Sequence, residues 1–119
     1  MGSLMINGIV NQIDATLSAL ADPTRRQVVE LLRGDGLRAS AIAERLGMSR
    51  AAVSRHLRIL ERSGLVRVET PAADARGRLY RLDPEGLLAL GAWLDQVEAF
   101  WSEQLGAFKA HAERTRTRS

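Results

Sequence analysis

The chain has 119 residues, enough for one small domain with a modest core. It has no cysteine, which excludes disulfide staples and thiolate metal sites and points to a reducing, cytoplasmic compartment. Its net charge of +3 is uneven: residues 1–34 balance, residues 35–82 carry +5, residues 83–113 carry −5 and residues 114–119 carry +3. Cationic surface is thus gathered in the middle of the chain and at its end, the footprint of a polyanion binder. A solvated surface with a bias to arginine is the bland alternative, since arginine outnumbers lysine sixteen to one.

The opening "MGSLMINGIV" lacks the basic start of a signal peptide and the later Ser or Thr of a myristoylation signal. No apolar run approaches the roughly 18 residues of a membrane span, so no membrane partner is expected. Ile6, Ile9, Val10, Ile13, Leu17 and Leu20 repeat with helical period and predict a first amphipathic helix. The second opens at "ADPTRRQVVELLRGDG", with Asp22 as N-cap, Pro23 in the first position and Gly34 as its stop. "ASAIAERLG" predicts a short third helix ending at Gly47. Ser49 caps a fourth that runs to about Arg62, before Gly64. The period then changes: "LVRVE" and "RLYRL" alternate around the turn-rich "TPAADARG", as a β-hairpin does. Asp83 and Pro84 repeat the N-terminal logic of Asp22 and Pro23 and start a last helix of about 40 Å. Residues 1–113 read as one domain, and residues 114–119 as a disordered basic tail without an apolar anchor. The order is α1-α2-α3-α4-β-β-α5, mainly α with a small β-hairpin.

Ala43, Gly47 and Val53 carry the central signal. A steep helix crossing needs a small residue, a tight turn needs positive φ, and the second helix must insert an aliphatic wedge. This spacing predicts a helix-turn-helix, and the hairpin that follows reads as the wing of a winged helix. On a wheel of residues 50–62, Val53, Leu57 and Leu60 fall within about 60°. Arg50, Ala51, Ser54, Arg55 and Arg58 fill a separate arc of about 140°. Such an arc suits the major groove of double-stranded DNA. Small residues allow close approach, alanine can touch a thymine methyl, and arginine can grip guanine O6 and N7. Ser49 and the free N–H groups at the helix start suit a phosphate. His56 falls near the buried side, where a structural hydrogen bond is the expectation. Ser54 and His56 point about 200° apart on a helix, so they form no nucleophile–base pair, and no catalytic constellation is found.

"LADPTRRQVVELL", "AIAERLGMSRAAVSRHLRILERSGLVRVE" and "RGRLYRLDP" together resemble the ArsR-type family of winged-helix regulators over most of residues 19–84. The resemblance implies a homodimeric repressor on an operator dyad. It implies base contacts from Arg50, Ala51, Ser54 and Arg55, and backbone contacts from the wing, where Arg76 and Arg78 sit. Metal-sensing members carry cysteines at the start of the third helix, where this chain has Arg38 and Ser40, or His and acidic ligands along the last helix, where it has His111 alone. No metal site and no cofactor are therefore expected. The first and last helices carry more apolar surface than a small core absorbs. Ile6, Ile9, Ile13 and Leu17, with Leu94, Val97, Trp101 and Leu105, are the candidate homodimer interface. Two alternatives stay open: a small-molecule effector pocket near Trp93, Phe100 and Trp101, and a winged helix used for protein contact alone.

Overall fold

The computed structural model describes residues 12–70 and 77–117. Ile6, Ile9 and Arg76 lie outside the described residues. Residues 12–20 form α1. α2 spans Pro23–Leu31, α3 Ala39–Leu46 and α4 Arg50–Arg62; β1 is Val66–Glu69, β2 is Leu79–Leu82, and α5 is Pro84–Thr117. The order is the expected one, a winged helix-turn-helix.

The local chemistry explains the boundaries. The Asp22 carboxylate accepts from the backbone N–H of Thr24 at 2.8 Å and of Arg25 at 3.1 Å, and Pro23 follows it in the first turn. These hydrogen bonds, that from Arg25 first, outweigh desolvation and hold the Asp22 carboxyl below its ordinary pKa of 3.8. Gly47 ends α3 at φ 64°, in the left-handed region open to glycine, and Met48 N–H then reaches the Ala43 carbonyl at 3.0 Å. Ser49 Oγ accepts from Ala52 N–H at 3.1 Å and starts α4. After α4, Leu65 N–H returns to the Leu60 carbonyl at 3.1 Å.

The hairpin is antiparallel, with Val66 opposite Leu82 and Val68 opposite Tyr80. One pairing has no counterpart in the sequence reading. Leu37 N–H donates to the Tyr80 carbonyl at 3.1 Å and the Leu37 carbonyl accepts from Tyr80 N–H at 2.9 Å, so the segment before α3 lies along β2. A second contact is equally unannounced. Asp83 N–H donates to the Leu65 carbonyl at 2.8 Å, and a Cβ on Gly86 would overlap the Gly64 carbonyl. The first turn of α5 therefore rests on the turn that ends α4, which glycine at 86 permits.

The core is built from Val28, Ile42, Val53, Leu57, Leu60 and Leu65, each at most 1% exposed, with Ala43 at the α3–α4 crossing. Leu31, Leu46 and Met48 pack against it half-buried. Arg25 fastens α1 to this core. Its Nε donates to the Ala19 carbonyl at 2.6 Å and its Nη1 lies 3.4 Å from His56 Nδ1, while Arg26 Nη1 donates to the Leu20 carbonyl at 2.7 Å. The two arginines satisfy carbonyls that the end of α1 leaves without partners.

The chain divides into two compact units, residues up to Ala89 and residues from Leu90 on, where the sequence suggests one domain to residue 113. All core residues belong to the first unit. In the second, Leu94, Phe100, Trp101, Leu105 and Phe108 are 49–72% exposed. α5 also passes residue 113, where disorder was expected, and continues to Thr117. Arginine is a good helix former, and cations at a helix C-terminus are favoured by its dipole; Thr115 Oγ1 donates to the His111 carbonyl at 2.9 Å. Among the described residues no helix is long and apolar enough to cross a membrane.

Candidate nucleic-acid interface

α4 separates its residues as the wheel requires. Val53, Leu57 and Leu60 are at most 1% exposed. Arg50, Ala51, Arg55 and Arg58 are exposed, and Ser54 is half-buried. Among the described residues, no ion pair or hydrogen bond engages the side chains of Arg50, Arg55 or Arg58. The cationic arc is therefore open to a partner from solvent. Ser49 is exposed at its start; its hydroxyl oxygen caps the helix, which leaves the O–H proton for donation.

The wing sorts its arginines. Arg67 and Arg81 face each other across the hairpin, and Glu69 takes both: Oε2 lies 2.7 Å from Arg81 Nε and Oε1 lies 3.2 Å from Arg67 Nη2. Arg78 is exposed and belongs to a different surface. It lines a cleft of about 330 Å³ together with Arg38 and Ser40 from the start of α3, Arg50 and Ser54 from α4, and Tyr80 from β2. Three of the residues proposed from sequence, Arg50, Ser54 and Arg78, are thus brought to one place. Arg38, Ser40 and Tyr80 join them without having been assigned a role. Their placement depends on the Leu37–Tyr80 pairing, and two residues of extended chain before a helix carry no periodicity by which sequence could have announced it.

His56 is half-buried and faces Arg25, as the structural reading expects. Ser54 lines the cleft instead. Of the candidate dimer residues, Ile13 is 4% exposed in the single chain, so its side chain is already covered there. Leu17, Leu94, Trp101 and Leu105 are 40–63% exposed, and Val97 is half-buried. Phe100 and Trp101 meet edge to face, with centroids 5.6 Å apart.

The family model for a helix-turn-helix domain matches residues 20–69. The helix-turn-helix-type transcriptional regulator Rv2034 of Mycobacterium tuberculosis is 42% identical over 95 residues, covering 80% of this chain and 83% of the relative. The structure of an ArsR-like transcriptional regulator from Rhodococcus sp. RHA1 superposes with a TM-score of 0.74 at 30% identity, over 86% of this chain and 93% of that one. This chain belongs to the ArsR family. Another structure like this ArsR chain is a homodimeric winged helix-turn-helix DNA-binding domain from Mycobacterium bovis, described as a possible ArsR-family transcriptional regulator. It has a TM-score of 0.63 at 28% identity, over 78% of this chain and 83% of that one. Among the described residues of this ArsR protein, no three His, Cys, Asp or Glu side chains gather as metal ligands would.

Proposed function

We propose that the chain is a sequence-specific transcriptional repressor, acting in the cytoplasm as a homodimer on an inverted-repeat operator in double-stranded DNA. The observation that carries this reading is the arc of α4, where Arg50, Ala51, Arg55 and Arg58 are exposed and the three arginines have no protein partner among the described residues. Arginine reads guanine in the major groove and alanine admits close approach. A winged helix used for protein contact alone would have no need of such an arc. The homodimeric relative supports two recognition helices related by a two-fold axis, about 34–36 Å apart, one turn of DNA.

The protein performs no catalysis and requires no metal. Its histidines, His56 and His111, lie on α4 and on the far part of α5, without cysteine to complete a soft site. Operator binding is expected to survive a chelator and to be indifferent to stoichiometric zinc; release of DNA by zinc would overturn this part. A second reading, a small-molecule effector near Trp93, Phe100 and Trp101, is supported by the exposed edge-to-face pair. Selection of bound fragments from the source genome tests the whole proposal. It should enrich fragments sharing an inverted repeat, and protein that enriches none is not a sequence-specific regulator.

A further inference from the structure

An open cavity of about 310 Å³ includes Arg67 and Arg81, which lie on the other face of the hairpin from Arg78. Its walls come from the turn after α2, from the paired strands and from the first turn of α5. Leu32, Leu82 and Leu87 give it apolar surface, and Arg33, Arg67 and Arg81 give it three guanidiniums. Glu69 pairs with Arg67 and Arg81, and Glu30 with Arg33. Three cations against two carboxylates leave one positive charge beside an apolar wall. Glu69 engages Nη2 of Arg67 and Nε of Arg81, so each guanidinium keeps further N–H donors for a second acceptor. Ion pairs as exposed as these add little to stability, so folding alone does not account for the group.

Arg81 is held in place from a second side. A Cβ on Gly36 would lie 2.8 Å from Arg81 Cγ and 3.3 Å from the Tyr80 carbonyl oxygen. Gly36 is not one of the glycines at positive φ, so what position 36 requires is space for the aliphatic stem of Arg81. Glu69 fixes the Nε of the same side chain at 2.7 Å. A guanidinium ordered in advance costs less to bring to a ligand. We propose that this cavity binds a small organic acid with an apolar body, Arg67 and Arg81 taking the carboxylate and Leu32, Leu82 and Leu87 the hydrocarbon. A guanidinium fork matches a carboxylate, and the volume is that of a small-molecule site. An inorganic anion would leave the apolar wall unused, and a neutral hydrocarbon would leave the arginines unused. The cavity shares no residue with the reading face of α4 or with the Phe100–Trp101 pair.

The test titrates the full chain, without DNA, with hexanoate, with 1-hexanol, which lacks the charge, and with acetate, which lacks most of the hydrocarbon. Backbone amide signals are followed by nuclear magnetic resonance. Hexanoate should shift the amides of Leu32, Gly34, Leu82 and Leu87 saturably. Hexanol and acetate should bind at least about tenfold more weakly, from the lost charged hydrogen bonds and the lost methylenes respectively. Arg67→Gln and Arg81→Gln, each confirmed as folded by its melting curve, should weaken hexanoate by about tenfold and leave hexanol unchanged. Hexanol binding as tightly as hexanoate overturns the proposal, and so does a wild type without saturable shifts. Shifts confined to Trp93, Phe100 and Trp101 overturn it as well, since the acid then sits on α5 instead. The comparison of the three probes on the wild type decides even where a variant unfolds. Because no DNA is present, failure here leaves the DNA-binding reading untouched.

Discussion

Arg50 and Arg55 differ from the other arginines of the chain in what surrounds them. Arg25 and Arg26 are spent on the carbonyls that end α1, and Arg67 and Arg81 on Glu69. Arg50 and Arg55 are exposed on α4, so removing either leaves the fold intact. Arg50→Ala and Arg55→Ala are expected to lose about 1–3 kcal/mol of preference for operator over random DNA, with unchanged melting temperature. Binding isotherms on both DNAs decide it, and equal preference in wild type and variants would remove these residues from the reading face. Asp22 gives a second prediction at this scale. Its folded pKa is depressed below 3.8 by backbone N–H donors, so the stabilisation is present above the unfolded value and is lost as pH falls through the folded one. Asp22→Ala should melt lower than wild type at neutral pH, and the gap should narrow as pH falls below 3.8 and through the folded pKa. A gap that persists in acid would show that the carboxylate charge is not what stabilises the start of α2.

At the scale of elements, the structure is held at two junctions. One is the helix-turn-helix crossing, where Ala43 and Gly47 let Val53 reach the core. The other is the junction of the α4 turn with the first turn of α5, where a side chain at 86 would meet the Gly64 carbonyl. Gly86→Ala would raise helix propensity on an exposed helix, yet here it must push two backbones apart. We expect it to destabilise by about 1–3 kcal/mol, the usual cost of overpacking, read as a lower urea midpoint with unchanged slope. A variant as stable as wild type would mean that this junction yields freely. The Leu37–Tyr80 pairing joins a third segment to the wing. It turns a two-stranded hairpin into a support for the segment that delivers Arg38.

The whole molecule is more than the core of its first unit. A stretch of α5 exposes Leu94, Phe100, Trp101, Leu105 and Phe108, and α1 exposes Leu17. Apolar surface of this extent is normally covered in solution, and a two-fold partner is the covering that the proposed function needs. Trp101→Asp places a charge where the dimer would bury it, which is strongly unfavourable. Sedimentation should then find monomer, and operator binding should fall with it. A wild type that is monomeric at micromolar concentration and still binds one half-site tightly would refute this assembly. Ile13 does not belong to that surface in the single chain, being 4% exposed.

Much of this was legible from residues alone because it is local. Helix periods, the caps at Asp22 and Ser49, the stop at Gly47 and the buried stripe of Val53, Leu57 and Leu60 depend on neighbours three or four positions away, and the structure places them as read. The exposed arc of Arg50, Ala51, Arg55 and Arg58 follows from the same stripe, since one face of a helix determines the other. What tertiary structure decided involves residues distant in sequence. Arg25 meets His56 across 31 positions, Leu37 pairs with Tyr80, and Gly86 approaches Gly64. None has a periodicity or a local propensity to announce it. The end of α5 was also read differently from composition, as a disordered tail from residue 114, because a run of Arg and Thr without an apolar anchor suits a tail as well as a helix end, and here the helix carries it to Thr117. Periodic patterns report which face of an element is buried. Which elements meet, and which cations come to share one cleft, is set by packing in three dimensions.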